Sequence, residues 1–175
     1  MTSPSMADND FVLFELPVQF AQSASALRSK WTQLQSQAHP DKFASEGAAA
    51  QRLALQWSVR INEAYQRLKS PLKRAQYLCE LAGHPIAAES NTAMPSAFLI
   101  QQIEWREALD EVQNASGAEA LLAQIDEALQ SQWKQLEAAL DVDRNLTTAT
   151  LLVRQIMFLD KLAAQAAQAV ESQHN

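Results

Sequence analysis

Cysteine occurs once in the 175 residues, at Cys79, so no internal disulfide and no thiolate zinc site can form. Its setting, Tyr77-Leu78-Cys79-Glu80-Leu81, reads as a small buried thiol rather than a nucleophile. Glycine is also scarce, with three residues, which fits a packed, helix-rich chain better than a disordered one. Alternating strand patterns are missing. No stretch approaches the ~18 consecutive apolar residues that a membrane span needs. Met1 to Asp10 is polar and acidic, without the apolar core of a signal peptide or an Arg-rich transit pattern, so a cytoplasmic protein is expected.

Basic residues are scarce in one half. Residues 1–82 hold nine Lys or Arg against seven Asp or Glu, whereas residues 83–175 hold five against thirteen. The net charge of −6 therefore hides a slightly basic region and a strongly acidic one, which suggests two different partners. An acidic half argues against nucleic acid, because phosphate binding needs clustered Lys and Arg.

What is present is helical. Hydrophobic residues make up 47% of the chain, and Ala, Leu, Gln and Glu dominate. Residues 1–9 are expected to be a flexible tail. Phe11, Leu13, Phe14 and Leu16 form a short apolar element that Pro17 ends. Leu27, Trp31, Leu34 and Ala38 share a helical stripe, as do Leu53, Trp57, Ile61, Ala64 or Tyr65, and Leu68. The two stripes predict an antiparallel hairpin, over 24–38 and about 46–69, joined by His39-Pro40-Asp41-Lys42-Phe43. Pro40 forces the break, because it lacks an N–H and disfavours helix at His39. Ser70-Pro71 starts a further helix that Gly83 stops. Residues 83–92, with Gly83, Pro85, Ser90, Asn91 and Thr92, form the candidate linker. Three more helices are expected, at about 95–114, 118–140 and 146–171, with Asn114 to Gly117 closing the first. The second carries Leu122, Ile125, Leu129, Trp133, Leu136 and Leu140. The third carries Ala149, Leu152, Ile156, Leu159, Ala163, Ala166 and Val170.

His39 and Asp41 could be an acid–base pair. However, Pro40 makes the tripeptide rigid, and no nucleophile, metal ligand or second catalytic His stands nearby, so no enzymatic activity is expected. A His-Pro-Asp turn between two matched helices instead resembles the signature loop of a J-domain, and Ile61-Asn62-Glu63-Ala64-Tyr65-Gln66-Arg67-Leu68 resembles its third helix. The resemblance implies a rigid docking tip for a DnaK-type ATPase chaperone. His39, Pro40, Asp41 and Lys42 would form the tip, with Arg28 and Lys30 steering onto an acidic partner face. His84-Pro85-Ile86 has no Asp and no hairpin around it, so it is assigned nothing.

The helix at 95–114 carries a second signal. Phe98, Trp105, Leu109 and Val112 share one face, enough to join a bundle core. Leu99, Ile100 and Ile103 point elsewhere, beside Glu104, Glu107, Asp110 and Glu111. An apolar strip ringed by carboxylates reads either as a binding surface or as part of a wide core. Phe158 is a similar outlier, about 100° from Leu159 in the last helix.

The whole chain resembles the HscB family, J-domain co-chaperones of iron–sulfur cluster assembly. The matching strings are His39-Pro40-Asp41-Lys42-Phe43-Ala44-Ser45, Arg74-Ala75-Gln76-Tyr77-Leu78, Ala97-Phe98-Leu99, Arg106-Glu107-Ala108-Leu109-Asp110-Glu111 and Phe158-Leu159-Asp160-Lys161-Leu162. The resemblance implies an all-α, L-shaped protein, with a J-domain at 10–82 and a three-helix bundle at 93–175. It implies two partners, an HscA-type chaperone and the iron–sulfur scaffold IscU. The family's scaffold-binding positions fall on Leu99, Ile100, Ile103, Glu104, Glu107, Glu111 and Phe158. Ile100 and Ile103 stand where Met and Leu are commoner, a volume-conserving change. The cysteine zinc module of some eukaryotic relatives is absent, so no metal or cofactor is expected. A J-domain co-chaperone for another client, or a helical adaptor that stimulates no ATPase, are the rival readings.

Overall fold

A computed structural model describes residues 5–86 and 94–173, and every regular element among them is helical. The chain divides into two compact units, 1–78 and 79–175, with the division inside one helix. Of the candidate linker, residues 83–86 continue from that helix as a turn and an irregular stretch, while 87–92 lie outside the described residues.

The N-terminal unit begins with α1 (Asp10–Leu13), capped by Asn9, whose side chain accepts a hydrogen bond from the Val12 N–H. The hairpin helices are α2 (Ala24–Gln37) and α3 (Ala48–Lys69), and α4 spans Pro71–Leu81. Ser23 caps α2, accepting from the Ala26 N–H at 3.3 Å, and Ser70 accepts from the Lys73 N–H at 3.4 Å. Gly83 ends the α4 segment in the left-handed region, at φ +80°, as a glycine stop requires. Phe11, Phe14, Leu27, Ile61, Ala64 and Leu68 are buried together with Ala75.

One stripe residue differs from expectation. Leu53 is 52% exposed, and Ala54 is buried in its place. The buried row of α3 thus runs Ala54, Ile61, Ala64, Tyr65 and Leu68, with Trp57 half-buried. Spacing alone could not separate two adjacent apolar residues.

Residues 5–9, read from sequence as part of a flexible tail, are tied down. Arg60 donates to the carbonyls of Met6 and Asp8, at 3.4 and 2.8 Å. The same guanidinium lies 2.8 Å from Oδ1 of Asp10, as an ion-pair contact rather than an aligned hydrogen bond. Arg67 donates to Oδ2 at 2.8 Å, and the Asp10 N–H donates to the Tyr77 hydroxyl at 3.0 Å. Asp10 is fully buried, so these partners offset the desolvation of its charge. The knot joins α1, α3 and α4. No pattern in the sequence announces it, because Arg60, Arg67 and Tyr77 lie fifty or more positions from Asp10.

The C-terminal unit contains α5 (Ser96–Asp110), α6 (Ala115–Glu137) and α7 (Leu146–Gln173). Helix α5 ends before the expected position 114, and Asn114 opens α6 rather than closing α5, its side chain accepting from the Gly117 N–H at 2.8 Å. The last turn of α6 widens into a π-helix, Ala138–Val142, before Asn145 caps α7 by accepting from the Thr148 N–H at 3.1 Å. Helices α6 and α7 form the main pair. Ile125, Leu129, Leu136 and Leu140 are buried with Ala149, Leu152, Ile156 and Leu159. The buried face of α7 is broad, since Val153 and Leu162 join it. Helix α5 packs more lightly on both. Its expected core residues Phe98, Trp105, Leu109 and Val112 are half-buried, and Gln102 is its one buried side chain.

Candidate functional site

The tip of the hairpin is a 3-10 helix, Pro40–Glu46, with His39 as its N-cap. The Asp41 N–H donates to Nδ1 of His39 at 3.3 Å, and the Lys42 N–H donates to the His39 carbonyl at 3.1 Å. Oδ2 of Asp41 lies 3.6 Å from the same Nδ1. A ring nitrogen that accepts the Asp41 N–H does not at the same time donate to the carboxylate. Both side chains are exposed. Phe43 is half-buried, and Lys42 reaches back toward Ser36, 3.5 Å from Oγ to Nζ.

Polar ties across the hairpin hold this end. Ser58 donates to the Ala38 carbonyl at 3.0 Å, and Gln35 donates to the Ser58 carbonyl at 3.1 Å. Deeper in the hairpin, Trp31 stacks on Tyr65 with ring centroids 4.7 Å apart. The tip is therefore pre-shaped by its own backbone and by a braced stem.

The cations chosen from sequence do not form one patch. Arg28 and Lys30 lie about 160° apart around α2, on opposite flanks of its buried face. Lys30 pairs with Glu15. Arg28 lines a cleft roughly 15 Å from the tip, at the far end of α2. Of the three, only Lys42 stands at the His-Pro-Asp turn.

The α5 positions do come together. At about 100° per residue, Leu99, Ile103, Glu107, Ile100, Glu111 and Glu104 fill one arc of about 140°, opposite the side that carries buried Gln102. Leu99, Ile100 and Ile103 are 41%, 57% and 56% exposed. The three glutamates are exposed around them. This answers the question the pattern left open: these apolar residues are not part of a wide core. Phe158 is half-buried on α7, the helix against which α5 also packs. It belongs partly to the core face.

Among the described residues no group of three or more His, Cys, Asp or Glu is placed to hold a metal ion, and no helix is long and apolar enough to cross a membrane. Burial, and secondarily the Glu80 carboxylate, push the Cys79 thiol up to about 11, so it is protonated and unreactive at neutral pH.

Residues 94–167 match the family described as the HSCB C-terminal oligomerisation domain. A co-chaperone protein HscB homolog of Paraburkholderia xenovorans is 44% identical over 174 residues, covering 98% of this chain and 99% of that protein. This chain belongs to the HscB family. A Burkholderia multivorans HscB homolog is 42% identical over 170 residues, covering 95% of this chain and 97% of its own. Among solved structures, the chaperone HscB from Vibrio cholerae aligns with a TM-score of 0.78 and 32% identity, over 95% of this chain and 99% of that one. Human co-chaperone HscB aligns with a TM-score of 0.87 over 96% of this chain and 85% of that one, and at 21% identity it speaks for the fold alone. The fold class is that of HscB proteins: all-α, a J-domain followed by a C-terminal helical bundle.

Proposed function

We propose that this protein is a J-domain co-chaperone of iron–sulfur cluster assembly that binds the scaffold IscU through α5 and delivers it to an HscA-type ATPase chaperone. The observation that carries the reading is the uncovered arc of Leu99, Ile100 and Ile103 among three glutamates. Burying one such aliphatic side chain contributes roughly 1.5–3 kcal/mol, so the trio with Phe158 supplies most of the affinity. Glu104, Glu107 and Glu111 select a partner with a basic patch and speed its approach. They also disfavour a second copy of the same face, because like charges would meet. The domain extents that go with this role are a J-domain at 10–82 and a scaffold-binding bundle at 93–175.

His39, Pro40, Asp41 and Lys42 dock on the chaperone, with Arg28 and Lys30 contributing long-range attraction. Every 1.4 kcal/mol by which the tip prefers the hydrolysis-competent chaperone raises the rate about tenfold. Holding scaffold and chaperone on one chain raises their effective concentration toward each other. The test is the chaperone's ATPase rate with this protein, with and without IscU. Stimulation is expected from wild type and not from His39→Gln. No stimulation by wild type, or full stimulation by the variant, overturns the reading and leaves a helical adaptor. Stimulation without measurable IscU binding leaves a J-domain co-chaperone for another client.

A further inference from the structure

A cleft of about 630 Å³ lies between α5 and α6, inside the C-terminal unit. Its α5 wall is Gln101, Glu104, Trp105, Ala108, Glu111 and Val112. At about 100° per residue these positions cover about 120° of the helix. That sector starts inside the exposed arc of Leu99, Ile100 and Ile103 and turns toward α6. Glu104 and Glu111 belong to both. The apolar strip and the cleft are therefore one continuous surface, with two carboxylates on the border between them. From α6 the cleft takes Leu121 and Gln124.

The groups present suit a cation. Glu104 and Glu111 are exposed, and Gln101 donates to Oε2 of Glu104 at 3.1 Å, which steadies that carboxylate without neutralising it. Trp105 is half-buried, and indole is the best aromatic partner for a positive charge. Val112 and Leu121 add apolar wall, which suits the methylene stem of a long basic side chain. Two helix ends also meet here. The last turn of α5 brings partial negative charge, and the first turn of α6, capped by Asn114, brings partial positive charge. These are about half a charge each and offset one another, so the two full carboxylate charges set the sign of the potential.

We propose that this cleft seats a positively charged side chain of the partner that α5 holds, and so extends the binding face onto α6. The charged head lies against Trp105 between Glu104 and Glu111, and its stem packs on Val112 and Leu121. The inference rests on the reading of α5 as the scaffold-binding face and adds to it a specificity pocket on a second helix.

Calorimetry of IscU binding to the full-length protein tests it with charges placed on α6 alone. Gln124→Lys puts a cation into the cleft and should weaken IscU about tenfold. Gln124→Glu adds a carboxylate and should tighten it about threefold. Gln130→Lys is the control, about 120° around α6 from Gln124, and should change affinity less than twofold. Both glutamines are exposed, so melting temperatures should match wild type. Trp105 is left intact because it is half-buried. Equal weakening by Gln124→Lys and Gln124→Glu overturns the proposal, since the sign of the charge would then not matter. Equal weakening by Gln124→Lys and Gln130→Lys also overturns it, by revealing only general repulsion. Unchanged affinity in Gln124→Lys, while Leu99→Ala/Ile103→Ala loses IscU, removes the cleft and leaves the α5 reading standing. If Leu99→Ala/Ile103→Ala also binds like wild type, the α5 reading itself fails and the cleft with it.

Discussion

The two surfaces assigned to partners are built in opposite ways. The hairpin tip is polar, small and held by hydrogen bonds: its own cap at His39 and the Ser58 and Gln35 ties beneath it. The α5 face is apolar, broad and carried on a helix that its own bundle grips lightly. A tip with little area to bury suits brief contact that biases a partner's state. A face with three exposed aliphatic residues suits retention. Their cores differ in the same sense. The N-terminal unit centres a charged knot on Asp10, whereas the main pair of the C-terminal unit is joined by aliphatic side chains.

The contrast is broken most directly at α5. Leu99→Ala/Ile103→Ala/Phe158→Ala should cost about 4 kcal/mol of IscU affinity, near a thousandfold, by calorimetry. ATPase stimulation in the absence of scaffold should persist. Because Phe158 is half-buried, a thermal melt must accompany the binding measurement. Binding within threefold of wild type would show that retention does not reside on this face.

Next in size is the knot. Asp10→Asn leaves two guanidinium groups without their carboxylate and should destabilise the N-terminal unit by about 2–4 kcal/mol in urea. Partial exposure of both arginines keeps the loss below that of a wholly buried pair. Scaffold affinity should not change. If stability is unaffected, the charged centre contributes nothing that water could not.

His39→Gln should lower chaperone stimulation about tenfold or more while scaffold affinity and melting temperature stay as in wild type. A fall in stability instead would make His39 a cap and nothing else. Smaller again is Glu104→Gln/Glu107→Gln/Glu111→Gln. It should slow association with IscU several-fold and flatten its salt dependence, with little change in dissociation. A change confined to dissociation would place these carboxylates inside the buried contact.

The last effect is invisible at neutral pH. The folded thiol of Cys79 titrates near 11 against an ordinary 9.0, so burial favours the protonated form. Stability is therefore intact below about 9 and falls as pH rises through the interval up to about 11. Alkylation of Cys79 at pH 8 should follow unfolding, and rapid labelling of native protein would contradict its burial.

Much of this was legible in the chain. Leu27 and Trp31, Ile125 and Leu129, and Leu152 and Ile156 repeat with the helical period, and that period places them. Pro40, Ser70 and Gly83 mark breaks by local backbone chemistry. The arc from Leu99 to Glu111 was visible as a misfit, since apolar residues off a core stripe stand out against the period.

Other features came only with tertiary structure. Periodicity cannot choose between Leu53 and Ala54, because which neighbour is buried depends on how α3 rotates against α2. Asn114 ends or begins a helix according to which backbone groups its side chain meets, and it begins α6. The Asp10–Arg60–Arg67 knot and the cleft of Glu104, Trp105 and Gln124 join residues from separate helices. By itself the sequence determined the helices, their order and which apolar residues of α5 lie off its core stripe, because these follow from torsion preference and a fixed 3.6-residue turn; that Leu99, Ile100 and Ile103 stay exposed came with the packing. Folding alone decided which charges meet, because that depends on distances across the chain that no local spacing encodes.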